Sequence, residues 1–139
     1  MATPLPTPAL PTLADVLAAA ERLRPHVHRT PVLTCATLDG LAGARLFFKC
    51  ENFQKAGAFK FRGATNAVLS LADDEAARGV ATHSSGNHAA ALALAAGRRG
   101  LAAHIVMPET APPVKRAAVA AYGGRIRFCA PTLAAREAA

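Results

Sequence analysis

The sequence predicts an α/β fold, a three-layer open sheet with mostly parallel strands and helices on its faces. Two observations carry this. From residue 79 onward, strands over 79–84, 102–107 and 125–130 alternate with helices over 86–100 and 112–123 and with a helix beginning in 133–139. Strand–helix alternation of this kind builds βαβ units and hence a parallel sheet. The second observation is size: 139 residues, 52% of them hydrophobic, make at most one domain with ample material for a core. Much of that apolar content is alanine, which buries little area per residue.

The elements can be justified in order. The prolines at positions 4, 6, 8 and 11 predict a disordered or extended leader over residues 1–11. Thr12 is a helix cap with Asp15 in the first turn, and apolar residues at helical spacing then run over 13–25 to Pro25. Residues 30–35 read as extended because Thr30 precedes Pro31. A helical turn over 36–43, a strand over 45–51, a loop over 52–58 and a helix over 59–73 follow. In the last complete strand–helix unit, Pro112 suits a first helical turn and Gly123 a C-terminal cap.

Composition removes several function classes. The formal charge is +7, from 16 basic and 9 acidic residues, a balance that raises nucleic acid as a partner. The arginines are scattered, however, at positions such as Arg22, Arg45, Arg78, Arg98 and Arg125, with no basic run or basic–aromatic array. Nucleic acid is therefore not expected. Cys35, Cys50 and Cys129 form no CxxC pair and fit no zinc spacing, so they read as reduced thiols and no metal is expected. The N-terminus lacks a basic segment followed by an apolar one, and no apolar run is long enough to span a bilayer. The expectation is a soluble, cytoplasmic protein with no membrane partner.

Two stretches carry chemistry. In 57-GAFKFRGATNAV-68, Lys60 stands between Phe59 and Phe61 at a helix start. Most lysines in such places are solvated and idle. Desolvation by apolar neighbours would favour the neutral amine, which attacks carbonyls and forms Schiff bases. In 82-THSSGNHAAA-91, Ser84, Ser85 and Asn87 are cap-type residues, and Gly86 permits a sharp turn into a helix. A helix start presents unpaired N–H groups and the positive end of the dipole, a setting for a carboxylate or phosphate. The plain alternative is a helix cap without a ligand.

Taken together, these stretches resemble the fold-type II pyridoxal phosphate (PLP) enzymes, in particular the threonine dehydratase and serine racemase family. The similarity runs from about Thr30 through 30-TPVL-33, 47-FFKCENFQKAGAFKFRGA-64, THSSGNH and 105-IVMPETAPPVKRAAVAAYGG-124. It implies a tryptophan-synthase-β-like fold of which the chain is an N-terminal part. Residues 12–49 would contribute to a large domain, and residues 50–139 would form most of a small one. It further implies that Lys60 holds PLP covalently and acts as a base on one face of the substrate. Phe59 would pack beside the pyridine ring, and Asn87 would hydrogen-bond the 3′-oxygen. Ser84, Ser85, Gly86, Asn87 and His88 would bind the substrate carboxylate, with Ser85 moving a proton on the face opposite Lys60.

The implied reaction converts L-threonine or L-serine to a 2-oxo acid and ammonia, with serine racemisation as a companion activity, in a protein that is homodimeric at full length. The phenylalanines would give Lys60 a dry, flat-walled setting. A glycine-rich phosphate loop, a hydroxyl facing the pyridine nitrogen and a carboxylate-rich metal site are expected beyond Ala139. The chain departs from many relatives at Ala90, where they carry glutamine. Two alternatives stand beside this reading: a catalytically incomplete remnant, and an anion-binding module that uses the Ser84–His88 helix start without PLP.

Overall fold

A computed structural model describes residues 10–139. Nearly all of the expected leader lies outside the described residues, and only Leu10 and Pro11 of it fall within them, both exposed. The first helix, α1 (Leu13–Leu23), opens with a reciprocal cap. Asp15 N donates to Thr12 Oγ1 at 3.3 Å, and Thr12 N donates to the Asp15 carboxylate at 2.7 Å. The Thr12 hydrogen bonds also hold the Asp15 carboxyl below its ordinary pKa.

Next come β1 (Val32–Leu33), α2 (Ala36–Ala42) and β2 (Phe48–Lys49). The two strands pair antiparallel, Val32 with Lys49 and Leu33 with Phe48, as a sheet of their own. The strand expected over 45–51 is thus only two residues long. Side chains account for the difference. Leu46 N donates to Asp39 Oδ1 at 2.8 Å instead of to a neighbouring strand. At the other end the chain turns at Glu51, whose carboxylate is held by Arg62.

Two single 3₁₀ turns, Glu51–Phe53 and Lys55–Gly57, lead into α3 (Lys60–Ser70). Ala56 and Gly57 both take positive φ, 58° and 68°, which reverses the chain just before the helix. The left-handed region is strained for alanine, at a cost of about 1 kcal/mol. The helix expected over 59–73 breaks after Ser70, where Leu71 is extended, and resumes as α4 (Asp73–Ala76). Arg99 stabilises the break by donating to the carbonyls of Val68 and Leu71. Glu75 receives the freed Ala72 N–H at 3.1 Å.

The regular half follows the expected alternation. It comprises β3 (Val80–His83), α5 (Asn87–Arg98), β4 (Ala103–Pro108), α6 (Pro113–Ala121), β5 (Arg125–Cys129) and α7 (Leu133–Ala138). The three strands form a parallel sheet in the order β3-β4-β5. The α6 start is displaced by one residue from expectation. Pro113 takes the first helical position and Pro112 caps it at ψ 137°, because a residue before proline avoids the α region.

The core lies on one face of this sheet. Ile105 and Met107 of β4 point into it with no exposed area, together with Phe61 of α3 and Val119 of α6. Between them runs α5, with Ala89, Ala90, Ala91, Leu92, Ala93, Ala95 and Ala96 all buried. A helix buried nearly all round needs apolar residues nearly all round. Close packing reaches the backbone at Gly124, where a Cβ would lie 2.6 Å from Val119 Cγ1 and 3.1 Å from Ala93 Cβ. Among the described residues, helical cover on the opposite face comes from α7 alone, beside His104 and Val106.

A polar network ties the N-terminal segment to α3. Arg62 donates to both Glu51 oxygens, at 2.8 and 2.7 Å, and to His28 O at 3.0 Å. Thr30 Oγ1 donates to Glu51 at 2.6 Å, and Lys49 Nζ donates to Thr30 O at 2.6 Å. The buried Gln54 amide both accepts from His28 N and donates to His28 O, and Lys55 Nζ donates to His26 O at 2.6 Å. Hydrogen bonding to Arg62 pulls the Glu51 carboxyl down from its ordinary 4.5 to about 2.

Two stability predictions result. Phe61→Ala should cost about 3–5 kcal/mol in urea unfolding, while Phe59→Ala, at an exposed position, should cost under about 0.5 kcal/mol. The Glu51 contribution should be fully present above pH 4.5 and lost as the pH falls toward 2. Glu51→Gln should lower stability at neutral pH by about 2 kcal/mol, between the exposed and fully buried cases, and flatten the acid limb of a stability–pH curve.

Candidate functional site

Packing of α3 on α5 brings the two sequence motifs together. Phe61, Ala64 and Val68 on one helix meet the alanine face of the other in a single core cluster. Small residues at such a contact let helix axes approach closely. Successive helical residues point about 100° apart, so burying Phe61 turns Lys60 outward. Lys60 and Phe59 are both exposed, and Phe59 keeps 60% of its surface accessible. Only one of the two phenylalanines therefore walls Lys60. Its Nζ lies 5.2 Å from the centroid of the Phe59 ring, a cation–π distance. The dry setting expected from the sequence is absent on this face, because Phe61 is spent on the core.

Lys60, Phe59 and His88 line one open cavity of about 270 Å³, with Arg62, Gly63 and Ala64 completing the lining. His88 also borders the adjoining cavity between α3, β3 and α5. The Arg62 guanidinium is held at the edge by Glu51, which raises its pKa further and keeps it charged.

The second motif sits where β3 runs out. Ser84 N still donates to Val106 O at 3.0 Å, prolonging the β3–β4 ladder by one residue. Ser84 Oγ then accepts from Gly86 N at 3.2 Å, and Gly86 caps α5 without a side-chain cap. The N–H groups of Ser85, Asn87, His88 and Ala89 have no acceptor among the described residues. The Ser85 hydroxyl likewise has no partner there. A carboxylate or phosphate offers the missing acceptors, and the α5 dipole favours its charge. Asn87 Oδ1 accepts from Lys115 Nζ at 2.6 Å. An ammonium donates only, so this contact fixes which end of the Asn87 amide is its oxygen and turns Nδ2 elsewhere as a free donor.

The structure thus joins Lys60, Phe59 and His88 around one space and places Ser84, Ser85, Gly86 and Asn87 at the adjoining helix start. Sequence reading missed Arg62, Glu51 and Lys115. Arg62 stood inside a quoted motif, but its partner lies 11 residues away across irregular loops, and Lys115 lies 28 residues from Asn87. No periodic pattern reports such pairs. Among the described residues no group of three or more His, Cys, Asp or Glu could hold a metal, and no helix is long and apolar enough to cross a membrane.

This geometry suits PLP. A primary amine beside an aromatic face, an amide donor whose acceptor end is already taken, and a row of unpaired N–H groups match an aromatic aldehyde carrying an oxygen acceptor and an anionic substrate. The residues fit the cofactor.

Comparison with known proteins agrees. The chain is 58% identical over 128 residues to the beta-hydroxyaspartate dehydratase of Paracoccus denitrificans (strain Pd 1222), covering 92% of this chain and 41% of that protein. It is 55% identical over 127 residues to the serine racemase of Arabidopsis thaliana, covering 89% and 38%. The solved structure of maize serine racemase superposes with a TM-score of 0.88 at 51% identity, covering 91% of this chain and 38% of that one. The chain therefore spans about two fifths of the length of these relatives. Residues 23–139 match the pyridoxal-phosphate dependent enzyme family, and the chain belongs to that family.

Proposed function

We propose that this chain carries the amine-bearing part of a PLP-dependent ammonia-lyase acting on 3-hydroxy amino acids, with racemisation as a companion activity. The observation that carries the reading is the α3–α5 contact, which sets Lys60 and His88 around one cavity beside unpaired helix-start N–H groups. When bound, PLP supplies the electron sink for the pair left on Cα when the α-proton departs. The chain's own residues contribute as follows. Lys60 binds the cofactor through its amine and takes the α-proton on one face. Phe59 would pack beside the cofactor ring, and Asn87 Nδ2 would donate to its 3′-oxygen. The helix start over Ser84, Ser85, Gly86, Asn87 and His88 holds the substrate carboxylate, chiefly through the unpaired N–H groups of Ser85, Asn87 and His88. The Ser85 hydroxyl moves a proton on the opposite face.

Loss of the β-hydroxyl as water, followed by hydrolysis, yields a 2-oxo acid and ammonia; return of the proton from Ser85 yields the other enantiomer. L-Serine and L-threonine are the substrates expected from the sequence, and the names of relatives add 3-hydroxyaspartate to the class. Residues 12–49 belong in this reading to a large domain and residues 50–139 to a small one, a division supported by the two separate sheets. The reading extends to a cytoplasmic homodimer. Three unbridged cysteines support the compartment, and the exposed Leu13, Val16 and Leu17 of α1 are apolar surface for other parts of the assembly to cover.

Borohydride reduction of the protein with PLP, followed by peptide mapping, should place the label on Lys60, and Lys60→Ala should abolish it. A label on another lysine overturns the assignment. Assaying 2-oxo acid and D-serine in parallel should show Ser85→Ala losing racemisation by about a hundredfold, the scale of one acid–base group, while ammonia release persists.

A further inference from the structure

Lys115 stands in the first turn of α6, half-buried, with its backbone N–H donating to Pro112 O at 3.0 Å. Its ammonium donates to Asn87 Oδ1 at 2.6 Å and meets no other acceptor among the described residues. Asn87 is the first residue of α5, so the contact joins the starts of two consecutive helices of the parallel unit. Three features make it directional. The ammonium has donors and no acceptor, so the amide must turn its oxygen toward Lys115. Flipping the amide would set NH₂ against NH₃⁺, losing the bond and opposing two donors. The paired cation also polarises the amide, which strengthens Nδ2–H as a donor and favours negative charge on whatever that group binds.

We propose that Lys115 is a positioning residue for the cofactor site. By holding the Asn87 oxygen, it makes Nδ2 the group offered to the cofactor's 3′-oxygen, and its charge favours the anionic form of that oxygen. The inference rests on the assignment of Lys60 and Asn87 to PLP given above.

The test uses the full-length protein titrated with PLP, read by the visible absorption band and its pH dependence. Lys115→Met keeps the apolar stem and removes the charge. It should weaken PLP binding about tenfold, and it should move the pH midpoint of the band upward, because removing a nearby cation makes protonation of the bound chromophore easier. Lys115→Arg should restore both quantities. Asn87→Ala with Lys115→Met should be no worse than Asn87→Ala alone, since both changes act through one contact. Lys115→Ala carries the same reading should the methionine variant not fold. A normal wild-type band together with unchanged affinity and midpoint in Lys115→Met overturns the role of Lys115 and leaves Lys60 standing. Additive losses in the double variant do the same. A wild-type protein without any band overturns the Lys60 assignment and this inference with it.

Discussion

The close approach of α3 to α5 is the constraint on which the rest of the structure depends. Alanines on α5 give that helix a nearly smooth surface, and Phe61 is the largest of the side chains that α3 buries in the core cluster beside it, with Val68 two turns on. The angle at which Phe61 enters determines where Lys60 points, since the two residues are adjacent on one helix. The same contact sets how far Lys60 stands from the start of α5. The geometry of the candidate site is thus anchored by residues with no chemistry of their own. Alanine contributes little buried area, but its small size permits the approach that a larger residue would block.

The N-terminal segment is attached by a different kind of force. Its apolar residues Leu13, Val16, Leu17, Val32 and Leu33 remain exposed, while Leu23 and Val27 bring apolar surface inward. Hydrogen bonds fasten the segment. Carbonyls of His26, His28 and Thr30 receive Lys55, Gln54, Arg62 and Lys49, and Glu51 balances the charge of Arg62. Charge-assisted bonds of this kind are strong and directional. They set the register of the loop that ends at Ala56 and Gly57, and that loop delivers the chain into α3.

The regular half of the fold was legible because its periodicity is local. Strand and helix patterns from residue 79 onward needed only their own windows, and the boundaries shifted by a residue or two where caps and prolines intervened. The irregular half was less legible. The strand near Phe48 was cut short by Asp39 and Glu51, side chains whose partners are distant in sequence. At the candidate site, motif shape singled out Lys60 and the Ser84–His88 turn. It assigned Phe59 and Phe61 the same role, although a helix must turn adjacent residues to different faces. Lys115 was invisible for a further reason: a lysine two residues after a pair of prolines has no local mark that tells it from any solvated lysine.

The exposure of Lys60 bears on how the site acquires its chemistry. A neutral amine is favoured by removal from water, and the α3–α5 face alone leaves Lys60 open with Phe59 beside it. An aromatic cofactor laid on Phe59 would cover both that ring and the amine. In this arrangement, drying of the lysine accompanies binding and does not precede it. The fold's task is then narrower than shielding. It keeps an apolar ring at 5.2 Å from the amine, an amide with one end already committed to Lys115, and a helix start with its donors free. Among the described residues each of these groups keeps capacity for a further partner, which the proposed cofactor or its substrate would supply.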